Sequence, residues 1–201
     1  MNGPKLHFRY APALDRYCRL LSESVWKEKY LQVLGDVPYP TEDFLRSLSS
    51  EREKIWAAKG QQIISGLVDM LGLQFAELEI PVYAVGFGRA HSDPLVVPSN
   101  FNEFELVNVA THELIHRLLS FNTQGFNEDV SSPKLFSDKP SSVAVHVVVH
   151  ALLQFVYLDI LQEPQRLDLD KEKSSGEYKE AWDIVDAEGY KQIIEKVKAS
   201  Y

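Results

Sequence analysis

Val107-Asn108-Val109-Ala110-Thr111-His112-Glu113-Leu114-Ile115-His116-Arg117-Leu118-Leu119 decides how the rest of the chain is read. His112 and His116 are four residues apart and bracket Glu113, giving the pattern H-E-x-x-H. A helix turns once in about 3.6 residues, so positions i and i+4 lie on one face a turn apart. Two imidazoles so placed can hold one metal ion, with a carboxylate beside them. Val107, Ala110, Leu114, Leu118 and Leu119 are available to pack such a helix on its other faces. The string alone is suggestive, since it arises by chance in about one chain in a hundred of this length. Working outward, a second pair at the same spacing, His146 and His150, follows on another apolar stretch.

Composition excludes several classes. The 201 residues suit a single domain, 1–201, read as a helical part at 1–72, a central core at 73–162 and a helical tail at 163–201. A hydrophobic content of 45% and a charged content of 25% are ordinary for a soluble globular protein. The net charge of −8, with no basic stripe, argues against a nucleic-acid partner. Cys18 is the sole cysteine, so an internal disulfide and a thiolate metal site are both excluded. Residues 1–10 are mixed and polar, unlike a signal peptide. The most apolar stretch, Val143 to Leu161, carries His146, His150, Gln154 and Asp159, and reads as a buried core helix with no membrane partner. These features predict a cytoplasmic protein.

The pattern of elements is α+β and mostly helical, with a small β-hairpin or sheet beside the H-E-x-x-H helix. Ala13 to Leu34 has helical periodicity and stops at Gly35. Thr41 opens a second helical stretch, and Ser49 or Ser50 restarts it as a longer helix ending near Gly72. Leu78 to Val85 reads as a strand, with Pro81 hinting at an edge position, and Leu95 to Val97 as its return strand. Gly86-Phe87-Gly88 is too short for a phosphate loop and fits the turn between them. Ser99 or Asn100 is placed to cap a helix from Phe101 to Leu119. A polar loop runs from Asn122 to Lys139, then Pro140 opens the next helix with Asp138 near its cap. The tail, rich in Lys, Glu and Asp, leads to an amphipathic helix with Trp182, Ile184, Ile193, Ile194 and Val197.

Zinc chemistry requires neutral imidazole nitrogens at about 2.0–2.1 Å and, for catalysis, three protein ligands with one position left open. His112 and His116 supply two, and Glu113 is the candidate general base that takes a proton from the attacking water. Burying both His146 and His150 among Val145, Val147, Val148 and Val149 costs a few kcal/mol unless each finds a partner. A metal provides one. Asp138 is the rival third ligand, but its place before Lys139-Pro140 is better explained as a helix cap. Glu105 and Asn108 share a face with His112. His7 and His91 are isolated and expected in solvent. Tyr157 and Cys18 are expected in the core.

The strand, H-E-x-x-H helix, loop and second histidine-bearing helix resemble the catalytic core of the zincin metallopeptidases. The likeness covers roughly residues 78–161 and is specific at His112, Glu113 and His116. The long form of the family's motif requires glycine and histidine where Leu119 and Asn122 stand here. The form with a glutamate ligand on a following helix finds no glutamate between Glu128 and Glu163. The resemblance therefore implies a minimal core in which a histidine replaces that glutamate. By position His146 is the ligand, and His150 orients a ligand or contacts the developing oxyanion, although the two roles can be exchanged. It also implies a peptide or protein substrate, with the Leu78–Val85 or Leu95–Val97 strand at the cleft edge. The expected activity is that of a zinc peptidase. The alternative is a zincin-like metal-binding module that regulates or interacts without proteolysis.

Overall fold

A computed structural model describes residues 3–122 and 134–200, so most of the polar loop read at 122–139, with Glu128, lies outside the described residues. The described residues are mostly helical with one small mixed sheet among them. They divide into two compact units. One comprises 4–59 and 77–113, and the other takes Gly3, 60–76 and the described residues from 114 onward. The three stretches read from the sequence are thus distributed between units that interleave along the chain.

The first unit is built on a sheet of order β1-β2-β4-β3. Strand β1 (Lys5–Tyr10) alternates Lys5, His7 and Arg9 with Leu6 and Phe8, and the latter two are buried. It runs parallel to β2 (Glu79–Val85), which runs parallel to β4 (Leu95–Pro98). The expected hairpin between 78–85 and 95–97 is therefore corrected. Leu95–Val97 is a return strand, but it returns from β3 (His91–Ser92), its antiparallel neighbour. The chain does not fold back at Gly86 because that segment is held elsewhere. Gly86 N donates to Asp15 Oδ1 at 2.7 Å, and buried Phe87 meets Tyr30 edge-on at 4.9 Å.

Pro81 is not on an edge strand, since β2 has a neighbour on each side. Lys5 N donates to Leu78 O, and Ser99 N to Val85 O. Odd-numbered residues of β2 thus direct their backbone polar groups toward β4. Pairing with β4 starts only at Val82, so the N–H that Pro81 lacks would have had no ladder partner there.

The helix read over 13–34 is two, α1 (Pro12–Glu23) and α2 (Lys27–Leu34), separated where Trp26 N closes back onto Leu21 O at 2.7 Å. Thr41 caps α3 (Glu42–Ala57), its Oγ1 accepting from Phe44 N at 3.3 Å. Ser49 does not restart the helix, because its hydroxyl donates to Leu45 O within it at 2.7 Å. On α3, Arg52 is almost fully buried and donates to the carbonyls of Val97, Pro98 and Phe101 at 2.9, 2.7 and 3.2 Å. It fastens the end of β4 and the turn into α5 (Glu103–Asn122). The cap of α5 is Asn102, not Ser99 or Asn100. Asn102 Oδ1 accepts from Phe104 N and Glu105 N, and Glu105 Oε2 accepts from Asn102 N, a reciprocal capping box.

The second unit surrounds α6 (Ser141–Phe155), which continues as a π turn at Val156–Ile160. Valine is a mediocre helix former, and Val143, Val145, Val147, Val148 and Val149 together cost about 2–3 kcal/mol relative to alanine. Each is fully buried, and burial returns about 1.5–3 kcal/mol per side chain, so packing overrides propensity. Residues Ser141–Ile160 are long and apolar enough to cross a membrane, yet 72% of that window is buried inside the fold, as in a core helix. Around it stand α4 (Gly60–Leu71), α7 (Pro164–Lys173), α8 (Gly176–Glu188) and α9 (Tyr190–Lys198), and α8 and α9 pack on α6 directly. Gly72 ends α4 at φ +68, a left-handed backbone that glycine takes without strain. Pro140 occupies the N-cap position of α6 with no side-chain cap, so the cap expected from Asp138 is absent.

Candidate metal centre

Helix α5 is continuous from Glu103 to Asn122, so His112 and His116 stand one turn apart on it. Leu106, Val107, Ala110, Leu114, Ile115, Leu118 and Leu119 are all buried and fix the roll of the helix. His112 and Glu113 are half-buried, and His116 is buried. From α6 comes His146, buried at 3% exposure. One ligand nitrogen from each of His112, His116 and His146 lies within 4.8 Å of the others, a grouping able to hold a metal ion. The sequence-predicted ligand set is thus brought together. Asp138, the rival ligand, is exposed and lies outside the group.

The donor chemistry fits zinc. His146 Nδ1 lies 2.7 Å from Ser142 O, and a carbonyl oxygen only accepts, so the proton of this ring sits on Nδ1. Its Nε2 is therefore the basic nitrogen. The His116 and His146 rings meet at 76° with centroids 5.2 Å apart. Two imidazoles on one tetrahedral zinc place each centroid about 3.2 Å from the ion, hence about 5.2 Å from each other. Burial, reinforced by the neighbouring His146, pushes His116 down to about 3, so it is neutral at pH 7. Neutral imidazole is the form that binds a metal.

His150 is buried but is not one of the three. It stacks on Trp182 at 4.3 Å and 14°, with its centroid 5.7 Å from that of His146. Burial, then His146 and His116, holds it well below the usual histidine value. Sequence reasoning missed the aromatic contribution of α8. Tyr178 lies 4.2 Å from the His146 ring, and Trp182 covers His150. The signal was legible, because Tyr178 and Trp182 are themselves at i, i+4.

The other candidates have structural work. Glu105 serves the α5 cap and Asn108 is buried. His7 is not isolated, since it lies between Glu53 at 3.5 Å and Glu79 at 3.7 Å. His91 is exposed on β3. Tyr157 is fully buried and donates to Asp170 Oδ2 at 2.5 Å. Cys18 packs in a core cluster with Val85 and Val96. Strand β2 lies between β1 and β4, so the Leu78–Val85 segment is not an edge strand of the sheet. In comparisons with known proteins, no family model, no curated protein and no solved structure matches this chain.

Proposed function

We propose that the chain is a zinc-dependent hydrolase acting on peptides, with His112, His116 and His146 as ligands and Glu113 as general base. The observation that carries this reading is the convergence of three histidine nitrogens from two helices within 4.8 Å. Two of them are buried, where an imidazole is costly to hold without polar partners, and a metal ion supplies one. A zinc ion there supplies Lewis acidity, which makes a water molecule nucleophilic at neutral pH and polarises a carbonyl. Glu113, next to His112 and half-buried, accepts the proton from the attacking water and delivers it to the leaving amine. His146 is held in its donor tautomer by Ser142 O. His150, packed under Trp182, supports the orientation of that ligand helix. The resemblance to the zincin peptidases at His112, Glu113 and His116 supports a peptide as substrate, with Zn2+ as the metal.

The test begins with the metal content of protein purified without chelator. About one zinc per chain is expected, lost in His116→Ala and in His146→Ala and retained in His150→Ala. No metal in the wild type, even after zinc is supplied, overturns the proposal. Glu113→Gln is expected to keep its zinc and lose peptide hydrolysis. A wild type that binds zinc and cleaves no peptide library would leave a metal-binding interaction module in place of an enzyme.

A further inference from the structure

Helix α8 carries two aromatic rings at i, i+4, and α6 carries two imidazoles at the same spacing. The four meet in register, Tyr178 against His146 at 4.2 Å and Trp182 against His150 at 4.3 Å. The second pair is core, with Trp182 and His150 both buried. The first pair differs, because Tyr178 is 45% exposed although it is a large aromatic residue. Burial of its own surface does not account for its place. Its contacts do: the ring lies on the His146 imidazole at a tilt of 39° and reaches His150 at 5.8 Å.

An imidazole turns freely about its second side-chain torsion, a broad two-fold rotation. The bond from Nδ1 to Ser142 O fixes which nitrogen carries the proton but leaves the ring free to tilt about that bond. Two further contacts restrict this freedom, the edge-to-face approach of His116 at 5.2 Å and the Tyr178 ring at 4.2 Å. We infer that Tyr178 is a positioning residue for the His146 ligand, so that α8, in the tail outside the segment resembling a zincin core, completes the metal centre. This rests on the reading of His112, His116 and His146 as ligands. The role belongs to the ring, through its place against the imidazole, so that phenylalanine is expected to fill it. Trp182 anchors α8 one turn further on and keeps Tyr178 over His146.

The experiment measures Zn2+ affinity of the full chain by competition with a chromophoric chelator, and the visible absorption of the Co2+-loaded form. Wild type is compared with Tyr178→Ala and Tyr178→Phe. Tyr178→Ala is expected to weaken Zn2+ binding about 10-fold or more and to shift the Co2+ bands, as loss of an orienting contact does. Tyr178→Phe is expected to match the wild type in both. Urea midpoints of the metal-free proteins provide the control and are expected to agree, because Tyr178 is half exposed. Wild-type affinity in Tyr178→Ala overturns the inference and leaves the three-histidine centre standing. An equal loss in Tyr178→Phe overturns it as well, since the hydroxyl would then be the active part. A drop in metal-free stability matching the loss of affinity would make Tyr178 structural only. Absence of Zn2+ binding in the wild type removes the centre itself and this inference with it.

Discussion

Arg52→Met removes a buried cation while keeping most of its stem, and the structure sets the size of the effect. The guanidinium donates to three carbonyls, those of Val97, Pro98 and Phe101. Hydrogen bonds from a charged donor contribute about 1.5–3 kcal/mol each, so the gross loss is about 4–9 kcal/mol. Against this stands the relief of a desolvated charge, worth several kcal/mol. That desolvation is visible in the guanidinium, which burial pushes down to about 10 with Glu51 opposing, still charged at pH 7. Methionine takes this donor away, and a buried carbonyl left short of a partner costs about 1–3 kcal/mol, so after relief of the charge the net cost is about 2–5 kcal/mol. A domain has about 5–15 kcal/mol in total, so the variant folds with a much reduced margin. The assay is equilibrium urea unfolding followed by circular dichroism and tryptophan fluorescence. Trp26 and Trp56 report the sheet unit and Trp182 the helical one, so the loss is expected in the transition of the first pair. Arg46→Met is the control. That arginine is exposed, pairs with Glu42 at 2.6 Å and lies over the Tyr10 ring. Its removal is expected to cost under about 1 kcal/mol. An Arg52→Met variant within about 1 kcal/mol of wild type would refute the assignment of Arg52 as the residue that fastens the end of β4.

Acid should destabilise the metal-free protein. His116 titrates at about 3 when folded and near 6.5 when unfolded, so the unfolded chain takes up a proton that the folded one refuses. The contribution is fully present above about 6.5 and is lost as pH falls toward 3, reaching about 2 kcal/mol at pH 5. His150 adds in the same direction. Urea midpoints with chelator present that do not move between pH 7 and pH 5 would contradict this. Alkali should act through Tyr157, whose hydroxyl burial and Asp170 hold well above the usual value. Its raised folded value keeps stability intact below about pH 10 and loses it above, and Tyr157→Phe should flatten that loss. Gly66→Ala brings a methyl to 2.2 Å from Ile160 Cδ1 and should cost about 1–3 kcal/mol, recovered in part by Ile160→Val. An equal cost in both backgrounds, read from urea melts, would place the strain elsewhere.

The helices of the site were legible because their signals are local. Histidines at i, i+4 with leucine and valine on the other faces define α5 and α6 without knowledge of their neighbours. Thr41 ahead of Glu42 and Asp43, and Gly72 at a left-handed backbone, mark helix ends by the same local chemistry. The sheet was not legible to that degree. The alternation of Leu6 and Phe8 with Lys5, His7 and Arg9 is a strand signal, yet six residues near a terminus lack a neighbouring element to suggest it. Leu95–Val97 does not pair back on β2 as a hairpin, and Gly86, read as part of the turn, bonds instead to Asp15, 71 residues earlier in the chain. No spacing rule encodes that bond.

The three-histidine group shows where such reading ends and packing takes over. Position within a pattern chose His146 over His150 as ligand, and the grouping of His112, His116 and His146 agrees with that choice. Packing from α8 distinguishes the two rings. His150, one turn along α6, has the same helical backbone and equally apolar neighbours, Val149 and Ala151 against Val145 and Val147, so the sequence of α6 does little to separate the pair. Trp182 stacks on His150 at 14° and gives that ring an aromatic partner in the core. Tyr178, smaller and half exposed, leaves the His146 ring beside His116. Exchanging the two aromatic residues, Tyr178→Trp with Trp182→Tyr, should therefore weaken the distinction between the histidines. In that double variant His150→Ala is expected to reduce Zn2+ binding, whereas in the wild-type background it leaves binding intact. Metal content separates the cases, and an unchanged dependence on His146 alone would show that the helix backbone, not α8, selects the ligand.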